Sequence, residues 1–321
     1  MDKNDLRTEH AYVILKRMKG GKQPQGFTIV EVMIFLAISS VMFVAAINLL
    51  GGKQAKTAFS TSIAQLTSQL QSVIGNVANG YYINGQNFTC TPGSSSGSRP
   101  IIALATGTSS RGTNLGCIFV GEVVQFYKNT STNIQDYVVY PTVGNQYIEP
   151  VLSTPVAATS LQQSPPLALY PYGKSSVDES QTTQLPYGIT VDSAVWIDNG
   201  QSNSTGAASI GFFTTFNGSG GGMYGLGSGS QSVQVVPIPG SFLNESQAAA
   251  VQRVDSLSED SSGNITVSGS SSTSTSDPNG GIKICFDSGT DNESGLITIG
   301  GLNSPTSVSL VHFSKKGCTN A

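Results

Sequence analysis

An uncharged apolar run behind a lone carboxylate constrains this chain more than any other feature. Residues 32–50 are nineteen in number and carry no charge, and only Ser39, Ser40 and Asn48 among them are clearly polar. A helix rises about 1.5 Å per residue and the hydrocarbon core of a bilayer is about 30 Å thick, so about 20 such residues cross it. The core helix of a soluble domain rarely needs so long an uncharged run, which leaves a signal anchor or an uncleaved signal peptide as the plain alternatives. Glu31 stands at the start of the run. A carboxylate inside a membrane helix costs roughly 2.5–3.5 kcal/mol even on a lenient insertion scale, so Glu31 calls for a function and a partner.

The flanks orient the run. Residues 1–26 contain Lys3, Arg7, Lys16, Arg17, Lys19 and Lys22 against Asp2, Asp5 and Glu9, a net of +3; the whole chain is −3, so residues 27–321 carry −6. Basic residues just before a membrane helix stay on the cytoplasmic side, which places the C-terminal bulk outside. A secretory signal peptide would put its apolar region before the cleavage point.

Gly26-Phe27-Thr28-Ile29-Val30-Glu31, followed by this apolar run, resembles the processing site of type IV prepilins and of the related type II secretion pseudopilins. The resemblance covers roughly residues 20–80. It implies that a membrane peptidase cuts after Gly26, that Phe27 becomes an N-methylated N-terminus, and that Glu31 is the glutamate at the fifth position of the mature chain. Cleavage there leaves the membrane helix attached to the product. The resemblance also implies the partners: prepilin peptidase, other pilin subunits in a helix-bundle filament, a platform membrane protein and a cytoplasmic ATPase.

Beyond the run, Gly51 and Gly52 permit a bend or a melted turn, each costing about 1 kcal/mol relative to Ala in a helix. The helical period nevertheless continues. Phe59, Ile63, Leu66, Leu70, Val73 and Val77 form one narrow apolar stripe among Thr, Ser and Gln, as expected of an amphipathic helix that covers its own domain's core. Asn79-Gly80 is a C-terminal stop signal. The expected division is a leader over 1–26, a transmembrane or filament-core helix over 27–50, its amphipathic continuation over 51–80, and an extracytoplasmic β-rich domain over 81–321.

Strand candidates lie at 118–127, 137–143, 188–198, 209–216, 232–238, 281–286, 295–299 and 307–313. Alternation in several of them, such as Ile210, Phe212, Thr214 and Ile282, Ile284, Phe286, predicts a sheet with one covered face. Tracts rich in Ser, Gly, Thr and Asn at 91–98, 217–231 and 256–280 read as surface loops, because they bury too little apolar surface to offset ordering entropy. Together with residues 162–171 they suggest one elaborated domain or two small ones. The expected fold class is α+β: a long N-terminal helix packed on a C-terminal antiparallel β-rich domain.

No enzyme is legible. His10 and His312 are the two histidines, no CxxC spacing occurs, and no Ser-His-Asp set can be assembled, so zinc, redox or triad chemistry is not expected and no cofactor is implied. Charged residues are only 11% of the chain and form no basic, aromatic-interleaved patch for nucleic acid. Asp287, Asp291 and Glu293 could gather oxygen ligands for calcium, but they lack EF-hand spacing, and a polar hairpin turn is the simpler reading. Cys90, Cys117, Cys285 and Cys318 are an even set in an exported domain, and three pairings are possible. Pairing Cys90 with Cys117 and Cys285 with Cys318 closes one local region each, and the second pair resembles the C-terminal disulfide loop of many pilins.

The sequence therefore points to a type IV pilin-like structural subunit that is anchored in the membrane and then assembled into an extracellular filament. Removing 26 of 321 residues leaves 295, large for a major pilin, which favours a minor subunit. The rivals are a type II secretion pseudopilin, a signal-anchored adhesin that never polymerises, and a tethered hydrolase.

Overall fold

The structure, a computed structural model, describes residues 26–80, 88–93, 97–104, 116–128, 135–148, 156–171, 177–196, 205–214, 233–240, 245–259, 265–267, 273–274, 280–289, 293–301, 306–313 and 318, with the backbone alone at 48–52, 205, 265–266 and 273–274. It forms two compact units, Met1–Gln54 and Ala55–Ala321. Helix α1 (Ile29–Ala78) has its first half in one and its second half in the other. The helix runs through Gly51 and Gly52 without a break, so those glycines mark no turn. The tract expected to be loop at 217–231 lies outside the described residues.

In the first unit, the apolar side chains of α1 from Ile29 to Ile47 are exposed to the surroundings. In the second unit the stripe is buried as its period requires: Phe59, Ile63, Leu66, Leu70, Val73 and Val77 all lie in one core. The helix ends where Gly80 takes a positive φ of 63° and its N–H donates to the Val77 carbonyl at 3.1 Å. The Gly75 carbonyl accepts twice from Asn79, from its backbone N–H at 3.0 Å and from its side-chain amide at 2.8 Å.

The strands, in chain order, are β1 (Phe88–Thr91), β2 (Ile101–Leu104), β3 (Cys117–Lys128), β4 (Gln135–Asn145), β5 (Tyr147–Ile148), β6 (Val156–Ala157), β7 (Leu167–Ala168), β8 (Gln181–Gln184), β9 (Thr190–Trp196), β10 (Thr205–Thr214), β11 (Val233–Pro239), β12 (Leu257–Glu259), β13 (Ile265–Val267), β14 (Thr273–Ser274), β15 (Ile282–Asp287), β16 (Ser294–Ile299) and β17 (Val308–Phe313). A short helix α2 (Gln247–Val254) precedes β12 and is capped by Ser246, whose hydroxyl accepts from the Ala249 N–H. Among the described residues ten strands form the main sheet, in the order β17-β16-β15-β9-β10-β3-β4-β7, with β11 also on β10 and β8 also on β4. Every pairing in it is antiparallel. All eight strand candidates are strands of this sheet. Its fold is α+β, with α1 laid on one face.

The expectation of a single covered face is corrected. Ile210 and Phe212 of β10 face the α1 core, whereas Phe213 enters a second core with Val120, Val123, Tyr140, Val236 and Ile238. That core is closed by Val251 and Val254 of α2 and by Leu257 and Val267. Strands β3, β4, β10 and β11 therefore carry apolar side chains on both faces, whereas β9 keeps an alternating pattern of burial. The same finding corrects the loop reading of 256–280. That tract carries the β12-β13-β14 sheet, and Leu257 and Val267 within it are buried in the second core.

Where α1 crosses β16 the approach is close. A Cβ added at Gly295 would run into the buried Ile63 side chain. Glycine at this strand position lets the helix backbone come near the sheet.

Candidate functional site

The segment ahead of α1 brings Thr28 and Glu31 together. Thr28 precedes the first helical residue, and Glu31 is the third residue of the helix. The Thr28 N–H and hydroxyl each donate to Glu31 Oε2 at 3.0 Å, and the Glu31 N–H donates back to Thr28 Oγ1 at 3.3 Å. This is a capping box: two N–H groups that begin the helix without intrahelical partners are satisfied by two side chains three residues apart. The carboxylate also sits where the positive end of the helix dipole favours it. Both accepted bonds fall on Oε2, so Oε1 remains as a further acceptor. The partner of Glu31 was legible in the sequence, because Thr-Ile-Val-Glu before an apolar run is the capping-box spacing; the apolar run drew the reading to membrane cost instead.

Phe27 is 85% exposed, and Gly26 is exposed with nothing within 4 Å of where a Cβ would stand. Nothing in the fold requires glycine at position 26. A demand for a small residue there is a demand of whatever binds the extended segment from outside.

Behind the cap, Ile29–Ile47 is one helix long and apolar enough to cross a membrane. Of its two serines, Ser40 donates its hydroxyl to the Leu36 carbonyl one turn back, so this residue brings no unsatisfied donor into an apolar medium.

Cys90 is bonded to Cys117 and Cys285 to Cys318, each with Cα atoms 5.9 Å apart. The first bond fastens the β1–β2 ribbon to the start of β3, beside a small core of Phe88, Ile102, Val143, Leu167, Leu169 and Val177. The second fastens the C-terminal segment to β15.

Of the three acidic residues considered for calcium, Asp287 and Glu293 are described. Glu293 is ion-paired with Lys56 at 3.0 Å, and Asp291 lies outside the described residues. Among the described residues no group of three or more His, Cys, Asp or Glu side chains is arranged to hold a metal. His312 makes an edge-on ring contact with Phe59, centroids 6.2 Å apart. A residue that sequence reasoning passed over is Glu122, a carboxylate in the middle of β3, only 4% exposed and facing α1; burial pushes it up to about 7. Its signal was a lone charge in the interior of a strand whose other charged residue, Lys128, stands at the very end.

Residues 21–47 match the family described as the prokaryotic N-terminal methylation motif. No curated protein and no solved structure matches the chain. The matched segment spans the capping box and the exposed apolar helix, and it is the type IV prepilin-type signal. It supports a pilin-like or pseudopilin-like precursor that is processed by prepilin peptidase, anchored by its N-terminal helix and assembled with other pilins.

Proposed function

We propose that this chain is a minor pilin, a structural subunit and not an enzyme. It is cleaved between Gly26 and Phe27, methylated at Phe27, and then moved from the membrane into an extracellular filament. The observation that carries the reading is the capped carboxylate at the head of a helix whose apolar surface from Ile29 to Ile47 is bare. Such a surface is stable in lipid or against other apolar helices, and not in water. The basic leader keeps the N-terminus cytoplasmic, so the disulfide-bonded domain is exported. A platform membrane protein and a cytoplasmic ATPase drive extraction.

Assembly proceeds through Glu31. The Phe27 amine released by cleavage on an incoming subunit pairs with Oε1 of Glu31 on its neighbour, while Oε2 keeps its bonds to Thr28. Within an apolar bundle an unpaired charge costs several kcal/mol, so this pair penalises misaligned docking and sets the stagger between subunits.

Glu31→Gln separates the two roles of this side chain. Glutamine preserves the capping box, since Gln serves at that position, but cannot neutralise an amine. The variant is expected to insert and be cleaved normally, yet to enter sheared filaments at a small fraction of the wild-type level relative to its membrane pool. Wild-type incorporation of Glu31→Gln would reduce Glu31 to a helix cap and remove the pairing mechanism.

A further inference from the structure

A pocket of about 270 Å³ lies between the second half of α1 and strands β3, β4 and β8. Its apolar wall is Leu70, Val73, Val124 and Val139. Its polar side holds Gln69 and Asn76 of α1, Glu122 of β3 and Tyr137 of β4. Gln69 and Asn76 are seven residues apart and share one flank of the helix, beside the apolar stripe. The Asn76 side chain hydrogen-bonds the Glu122 carboxyl group. Glu122 Oε2 and Gln69 Oε1, both buried, have no partner.

Two buried acceptors without a donor are costly in a folded domain, because each loses its water without compensation. A buried carboxylate further calls for a positive partner. Among the described residues that line the pocket there is no Lys, Arg or His. A ligand that brought a positive charge and several hydrogen-bond donors into the pocket would satisfy both acceptors at once. The aliphatic wall suits a short methylene chain behind that charge. The volume falls just under the range of about 300–1,000 Å³ usual for ligand pockets, which restricts the occupant to a small molecule or a single side chain.

We propose that this pocket is a binding site for a primary alkylammonium group, with Glu122 as counter-ion, Gln69 as second acceptor and the aliphatic wall holding the methylenes. Tyr137 is the other titratable group that lines the pocket; burial pushes its phenol upward, so it stays neutral. Ser72 of α1 and Gln181 and Thr183 of β8 complete the lining without charge. Binding therefore follows the ionisation of Glu122 alone.

The test titrates the full chain in detergent micelles with n-butylammonium, n-butanol and Nα-acetyl-lysine amide, reading ¹³C shifts of the glutamate carboxyl groups. Saturable binding of n-butylammonium is expected, on the order of 100-fold weaker at pH 5 than at pH 8 because the ionised fraction of Glu122 falls by about that factor. Glu122→Gln should abolish the binding and its pH dependence, and Gln69→Leu should weaken binding while keeping the pH profile. Binding of the lysine amide as well would extend the ligand class to protein side chains. Equal binding of butanol and butylammonium, no saturable binding of butylammonium, or unchanged binding by Glu122→Gln would each overturn the assignment.

Discussion

Replacing Glu122 by glutamine should make the C-terminal β-rich domain more stable at neutral pH, and by an amount that depends on pH. The carboxyl lies under α1 with one oxygen held by Asn76 and the other without a partner. Burial raises its folded-state pKa from 4.5 to about 7. A raised acid favours folding while it is protonated, so its contribution is fully present below pH 4.5, is lost as pH rises to about 7, and is constant above that. The shift of about 2.5 units, at about 1.4 kcal/mol per unit, amounts to roughly 3 kcal/mol. Glutamine keeps the shape and the Asn76 contact and never ionises. The gap in unfolding free energy between Glu122→Gln and wild type should therefore widen by about 3 kcal/mol between pH 4.5 and pH 8. Urea unfolding at several pH values measures this gap through Trp196, the chain's single tryptophan, which is buried in the same core. Parallel stability curves for the two proteins would show that Glu122 is hydrated in the folded state and would refute the argument.

Other substitutions probe the packing and the processing segment. Leu66→Ala removes a fully buried contact of α1 with the sheet and should cost about 2–5 kcal/mol by the same unfolding measurement. Gly295→Ala drives a methyl into Ile63 and should cost about 1–3 kcal/mol, recovered in part by pairing it with Ile63→Val. Removing the Cys285–Cys318 bond with serine at both positions should cost roughly 3 kcal/mol and raise hydrogen exchange in the C-terminal segment more than elsewhere. Gly26→Ala should still be processed, whereas Gly26→Val should accumulate as full-length precursor on a gel, since the fold leaves room at that position and only an enzyme's site would refuse the larger side chain.

The elements most readily visible in the sequence were those with one strong period. The stripe from Phe59 to Val77 was legible because a helix half-buried on a sheet shows its buried side every three or four residues. The eight long strands were legible from apolar and β-branched runs. The short strands β1, β2, β5 to β8 and β12 to β14 were not, because two to four residues carry no period and their pairing is decided by tertiary context. The second core escaped for a related reason: Phe213 and Val236 look like ordinary members of an apolar run until the covering helix α2 is known, and α2, at eight residues, is too short to show a helical period. At the N-terminus, Gly26, Phe27 and Glu31 were marked by sequence order alone. Thr28 carried a signal as well, the Thr-x-x-Glu spacing of a capping box, and the geometry shows the box formed.

The N-terminus of the protein recovered from sheared surface filaments tests the central claim most directly. Mass spectrometry of the N-terminal peptide should show a chain that begins at Phe27, heavier by one methyl group, with residues 1–26 absent. A mature chain that begins at Met1, or at any position before Gly26, would contradict it.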